Sequence, residues 1–127
     1  APTFTDTPVL GIANLTAANT NRDGTGTLVN IVTAGVDGCK INQIVVKAED
    51  NPDDSLVLIW IHDGSNAYLF DEIDLGDPAD ADNTTTAFRY RKRYDDLCLP
   101  SGYSLKATLT VAPTAGDVNV FAFGGSF

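Results

Sequence analysis

The sequence predicts an all-β fold: an antiparallel β-sandwich of jelly-roll type with about eight strands. Three observations predict it. Valine, isoleucine, threonine and aromatic residues are frequent, and such side chains suit a pleated, half-buried surface. The chain carries 11 glycines and 6 prolines, spread so that turn signals recur at the short spacing of sandwiches. No stretch shows a sustained apolar repeat at helical spacing.

The elements follow in order. "APTFTDTP" (1–8) holds two prolines and no helical period, and predicts an extended arm. "VLGIANLT" (9–16) reads as a strand interrupted by Gly11, and "AANTNRDGTG" (17–26) as a polar loop. "TLVNIVTAG" (27–35) is a strand, with a tight turn at 36–38. "CKINQIVVKAE" (39–49) alternates, with Ile41, Gln43, Val45 and Lys47 on one face and Lys40, Asn42, Ile44, Val46 and Ala48 on the other. "SLVLIWIHD" (55–63) is apolar on both faces, as a central strand would be. "GSN" turns the chain and "AYLFDEIDL" (67–75) returns. After an acidic loop (76–85) come strands at 86–94, 103–111 and 117–125, with turns at "DDLCLPSG" and "APTAG". An immunoglobulin-like sandwich is the lesser alternative: Trp60 lies between Cys39 and Cys98, but Asp96 stands where that fold places a tyrosine. The 127 residues fit one domain, 1–127, with residues 1–8 as its arm.

Charge narrows the partners. The formal net charge is −9, from 8 basic and 17 acidic residues. Such a surface repels phosphate backbones and anionic membranes, so neither nucleic acid nor membrane is an expected partner. No apolar run reaches the 18 or more residues of a membrane helix. No secretory leader is visible, and Ala1-Pro2 is the start expected after trimming of an initiator methionine. Cys39 and Cys98 are too few for a disulfide framework and read as two small thiols, with one bridge as the alternative. Asn14-Leu15-Thr16 and Asn83-Thr84-Thr85 match the glycosylation sequon, which matters only in a secreted eukaryotic protein.

The candidate chemistry is thin. His62, the single histidine, stands among Asp63, Asp71 and Glu72. Catalysis would require an orienting partner and a nucleophile or water site. No serine lies in a nucleophile-elbow context, and one histidine cannot build a typical zinc site. Asp63-Gly64-Ser65-Asn66 is turn chemistry, so the stretch reads as a hairpin. Asp71 and Glu72 are adjacent and would face opposite sides of a strand. "NTNRDG" (19–24) resembles half a calcium loop, but Asn30 stands where the closing glutamate belongs, and Asx turns account for it better. The acidic groups Asp71, Glu72, Asp74, Asp77, Asp80, Asp82 and Glu49, Asp50, Asp53, Asp54 read as solvated faces rather than cation sites. No enzyme, cofactor or metal is expected.

"FRYRKRY" (88–94) is the unusual feature. Arg89, Arg91, Lys92 and Arg93 are half of all basic residues, packed into five positions. On a strand, Arg89, Arg91 and Arg93 share one face, and Phe88, Tyr90, Lys92 and Tyr94 the other. Either this chain's own acidic loops answer the arginines, or they form a docking face for an acidic partner or a neighbouring copy. Arginine suits that task because its planar fork binds carboxylates bidentately.

"LTAANTNRDGTGTLVNIVTAG", "IHDGSNAYLFDEI", "LPSGYSLKA" and "VFAFGG" follow one another in an order that resembles small jelly-roll structural proteins of tailed bacteriophages, of the capsid decoration (cement) type. The resemblance implies a non-enzymatic virion protein that stabilises the phage head, made in the host cytoplasm and placed on the capsid surface. It implies the major capsid protein as partner, self-association favouring a trimer, and no cofactor. A fibre or tail component, or a receptor- or carbohydrate-binding sandwich, is the alternative; Trp60, Tyr68, Tyr90, Tyr94 and Tyr103 would be its aromatic candidates, with Trp60 expected in the core. The arm and the tail "GGSF" are expected reaching segments, so the candidate interface comprises Arg89, Arg91, Lys92, Arg93, Pro2, Phe4 and Phe127.

Overall fold

A computed structural model describes residues 6–76 and 81–127. These form eight strands: β1 (Thr7–Leu15), β2 (Val29–Thr33), β3 (Cys39–Ala48), β4 (Ser55–His62), β5 (Ala67–Gly76), β6 (Arg89–Leu99), β7 (Ser104–Leu109) and β8 (Val118–Ser126). Two four-stranded sheets result, ordered β1-β8-β3-β6 and β2-β7-β4-β5, with all pairs antiparallel. Among consecutive strands only β4 and β5 pair directly; every other connection crosses between sheets. That ordering is a jelly roll.

The core lies between the sheets. Ile44, Val46, Val57, Ile59, Leu105, Leu109, Val118 and Val120 are all fully buried there. Each such side chain stabilises the fold by about 1.5–3 kcal/mol relative to exposure.

Strict alternation fails in β3. Its pairing with both β6 and β8 shifts between Ile41 and Gln43. The extra residue resets the phase, so Cys39 and Ile41 join Ile44, Val46 and Ala48 in the core. Strand β6 is longer than the sequence suggests. "DDLCL" is not a turn: Leu97, Cys98 and Leu99 pair with Ile41, Lys40 and Cys39. Three β6 residues, Tyr94 to Asp96, stand where β3 has only Asn42. The polar Asp95-Asp96 pair looks like a turn because it has left the ladder, although the strand continues beyond it.

Cys39 points into the core and Cys98 is exposed, one register step apart on neighbouring strands, and both thiols are free. Burial pushes the Cys39 thiol above its ordinary pKa, with a smaller contribution from nearby Cys98.

The arm and tail are partly tied down. Thr7 and Pro8 already pair with Ser126 and Gly125, and the Asp6 amide donates to the Ser126 carbonyl. Residues 1–5, including Pro2 and Phe4, lie outside the described residues. The tail is not a loose reaching segment: Gly124 to Ser126 belong to β8, and the Phe127 amide donates to the Gly38 carbonyl over 3.3 Å.

At one side of the sandwich the edges of the two sheets meet at Gly11. A side chain there would overlap the Ile31 carbonyl and the Val32 Cβ. That contact leaves room only for small inward residues at this end of β1, Gly11 and Ala13, and the larger Leu10 and Ile12 point outward.

Candidate docking face

The two outer faces of the sandwich differ. On the β2-β7-β4-β5 sheet, Leu58 and Trp60 alternate with the core residues Val57 and Ile59, so they face away from the core, yet both are 0% exposed. The connection 16–28 covers them. Ala18 bridges to Leu109 beside β7, Arg22 reaches Glu72 on β5 (2.5 Å), and Gly24, at φ 88°, lies directly against Ala67. Between these points the loop must cross β7 and β4. Trp60 Nε1 donates to Thr108 Oγ1 (3.0 Å), which satisfies its one polar group under the cover.

The loop's own chemistry holds it there. Asn19 Nδ2 donates to the carbonyls of Thr25 and Thr27 (3.1 and 2.9 Å), and Asn19 Oδ1 accepts from the Asn21 amide. Asp23 Oδ1 accepts from the amide and hydroxyl of Thr25, and these bonds draw its carboxyl below the usual pKa. "NTNRDG" is thus folded by Asx turns, with its side-chain oxygens turned to its own backbone.

His62 ends β4 as expected. Its Nδ1 accepts from the Gly64 amide (3.0 Å), so Nε2 carries the proton in the neutral ring. Asp63 Oδ1 accepts from the amides of Ser65 and Asn66 (2.9 and 2.8 Å), which hold its carboxyl below the ordinary range. The stretch is a four-residue hairpin whose polar groups serve the turn. Tyr68 and His62 border an open depression of about 460 Å³ beside it. No group of three or more histidines, cysteines or carboxylates converges as a metal set among the described residues.

The outer face of the β1-β8-β3-β6 sheet has no covering segment among the described residues. Its register can be read across the strands. One row is Ile12, Phe121, Val45 and Arg91; the next is Leu10, Phe123, Gln43 and Arg93. A third, polar row is Asn14, Asn119, Lys47 and Arg89. Leu10 is 57% exposed, Ile12 54% and Phe123 37%. The face is therefore apolar over β1 and β8 and basic over β6. A shallow cavity of about 410 Å³ opens beside it at the β6 irregularity, lined by Asn42, Gln43, Arg93, Tyr94, Asp95 and Phe123.

Arg89, Arg91 and Arg93 lie on this outer face, all exposed, and none has a carboxylate within 4 Å among the described residues. Lys92 lies on the opposite side. Its Nζ meets Asp71 Oδ2 at 2.6 Å, and the Tyr94 hydroxyl donates to the same oxygen at 2.7 Å. Phe70 packs on the Tyr94 ring, 5.5 Å between centroids. This group links β5 to β6 across the other side of the sandwich. Burial pushes the Asp71 carboxyl up, but hydrogen bonds from Lys92, Tyr94 and the Glu72 amide outweigh it and leave the pKa lowered. Burial and the bond to Asp71 together drive the Tyr94 hydroxyl well above its ordinary value. Asp71 and Glu72 thus diverge, one toward β6 and one toward Arg22.

The arginine column was visible in the sequence, but its apolar neighbours were not. Sequence patterning gave no face to Leu10, Ile12, Phe121 or Phe123, because on β1 and β8 the smaller apolar residues fill the inner side. The signal available was size alternation, "LGIANL" and "VFAF", large against small rather than apolar against polar.

No protein-family model matches the sequence, and no curated protein matches it. Among solved structures, the fold is similar to a chain of the acidic stable capsid structure of Helicobacter pylori bacteriophage KHP30. The TM-score is 0.59 at 14% identity, over 94% of this chain and 87% of that one. A chain of the cyanophage Pam1 capsid asymmetric unit aligns over 100% of this chain and 91% of that one, with a TM-score of 0.45 and 11% identity. The first of these shows a shared sandwich.

Proposed function

We propose that this chain is a non-enzymatic structural protein of a virion, a capsid decoration or cement protein that stabilises a phage head. The observation that carries the reading is the bare outer face of the β1-β8-β3-β6 sheet, half apolar and half arginine. An isolated soluble domain gains nothing from such a face, whereas a lattice component uses it as a contact. The shared fold with a chain of a phage capsid structure supports the same reading.

The face is a contact of assembly on the head. With strands about 4.8 Å apart and alternate residues about 6.8 Å apart, four strands and three rows cover roughly 400 Å². That is about half the area per partner of a standard stable interface. Pairwise affinity is therefore weak, and retention comes from many contacts engaged together. Arg89, Arg91 and Arg93 supply charge to this face. Lys92 contributes through Asp71 by holding the β5 edge in place. Pro2 and Phe4 of the arm meet the major capsid protein, and Phe127 would meet it from an ordered position at the end of β8. Copies associate, as trimers in the arrangement that the family resemblance favours.

Arg91→Glu tests the reading. The variant keeps its β circular dichroism, and its occupancy on purified particles, measured by gel densitometry, falls roughly tenfold, equivalent to about 1.4 kcal/mol. The loss is largest at low ionic strength, where exposed charges are least screened. Occupancy equal to that of the unmodified protein removes the proposal.

A further inference from the structure

Strands β1 and β6 end one sheet, and β2 and β5 end the other. A strand at the end of a sheet leaves a row of amides and carbonyls without a ladder partner, and that row is a template for one more strand. Three of these edges give a partner little to recognise. Strand β2 has only 5 residues. Strand β1 carries no charged side chain. Strand β5 is engaged, since Phe70 packs on Tyr94 and Glu72 is held by Arg22. Strand β6 differs: it runs for 11 residues, and among the described residues its ladder is with β3 alone.

Its side chains make this edge selective. Arg89, Arg91 and Arg93 line its outer side about 6.8 Å apart, all exposed, and none meets a carboxylate among the described residues. The connection into β6 does not answer them: Asp82 Oδ1 accepts from its own Thr84 and Thr85 amides. The inner side is already settled, because Lys92 and the Tyr94 hydroxyl share Asp71 Oδ2. Charges commonly guard an edge against stray pairing. Three of one sign in one column do more. They repel one another and exclude every added strand except one that answers them.

We infer that the β6 edge accepts an extended acidic segment of the shell subunit, added to the sheet as a further strand with carboxylates at three alternate residues. The shell as source rests on the decoration reading; the edge and its charge pattern do not depend on it. An added strand lies about 4.8 Å from β6 and sets one side chain beside each arginine, with Cβ atoms about 4.5–5.5 Å apart. Each carboxylate then accepts a guanidinium fork. The backbone bonds supply affinity, and the arginines supply the choice of partner. Asp95 and Asp96 follow, both exposed, where β6 leaves the ladder. They repel a fourth carboxylate and so fix the register on the arginines. In a chain of net charge −9, this column is where an acidic segment is attracted. A nucleic-acid strand is the competing polyanion. Its phosphates meet the arginines, but it brings no amide row to the edge and runs on into acidic surface.

The test uses the isolated full chain, followed by nuclear magnetic resonance, and peptides of about seven residues. One peptide has glutamate at three alternate positions with threonine between. A second has the same composition with the glutamates contiguous. The third ligand is an oligothymidylate of similar length. The alternating peptide binds with a dissociation constant of about 0.1–1 mM. It slows exchange of alternate β6 amides between Arg89 and Arg93, and it binds roughly tenfold more tightly than either other ligand. Arg91→Glu weakens it roughly tenfold, and a peptide with lysine at the central acidic position restores binding to that variant. Arg91→Gln stands in if Arg91→Glu loses its β circular dichroism, and it too weakens the alternating peptide. Equal binding of the contiguous peptide or the oligothymidylate, unchanged β6 exchange, or no binding up to about 2 mM overturns the inference. If the peptide fails while Arg91→Glu still lowers particle occupancy, the shell meets the open face without adding a strand, and this inference alone falls. If the peptide binds as expected while occupancy is unchanged, the decoration reading falls and with it the shell as source, while the edge site stands.

Discussion

The sandwich has two outer faces with apolar side chains, and the chain treats them differently. Over the β2-β7-β4-β5 sheet, residues 16–28 form a lid that seals Leu58 and Trp60 completely. Over the β1-β8-β3-β6 sheet, Leu10, Ile12 and Phe123 stay open to solvent beside three arginines. The sealed face contributes to the stability of the monomer. The open face, with Leu10 and Ile12 more than half exposed, contributes almost nothing to it. An apolar outer face is informative only once one knows whether the chain itself covers it.

Mutation sharpens the contrast. Trp60→Ala, under the lid, removes the largest fully buried side chain and its bond to Thr108. It costs about 3–5 kcal/mol, measured by urea denaturation. Asn19→Ala loses the bonds that pin the lid. It costs about 1–2 kcal/mol and opens Trp60 to acrylamide quenching before the main transition. Quenching that tracks global unfolding would show that the lid and the sandwich melt as one unit.

The pH dependence comes next in size. The Asp71 carboxyl is lowered in the folded protein, so its contribution is fully present above the unfolded value near 3.8 and is lost as pH falls through the folded value. The midpoint of urea unfolding therefore drops below about pH 4. Asp71→Asn is less stable at neutral pH and flatter across that window, read by repeating the titration at several pH values. At the small end, Ile12→Ser on the open face shifts stability by no more than about 0.5 kcal/mol. A loss of several kcal/mol there would mean that this face is packed in the monomer, and the comparison would collapse.

Much of the architecture was legible in the sequence because strands and turns are written locally. "SLVLIWIHDGSNAYLFDEI" shows β4, its hairpin and β5 within a residue of their ends, since Asp63 and Gly64 are turn formers flanked by apolar runs. The alternation of Arg89, Arg91 and Arg93 was equally legible. The misses arose where phase is set by a neighbour. The β3 shift at Ile41 and Gln43 leaves no residue signature, because the bulge is fixed by what pairs on either side. The apolar half of the open face was hidden for a related reason. At the Gly11 corner the sheets approach so closely that small side chains go inward, which reverses the usual link between size and burial. The double apolar character of β4 was read as a central strand's; the second cause, a loop folded over Trp60, is a long-range fact that pattern cannot supply.

The three β6 residues standing opposite Asn42 have one more consequence. Side-chain direction on each half of β6 is fixed by its own pairing with β3, at Arg93 and earlier and at Leu97 and later. Chain length between those halves is therefore uncoupled from orientation. A residue inserted or removed at Asp95-Asp96 leaves the arginines pointing outward and Leu97 inward, where the same change elsewhere in the strand would turn one half over. This makes the spot a natural expansion joint, suited to carrying a peptide tag on an otherwise unaltered scaffold.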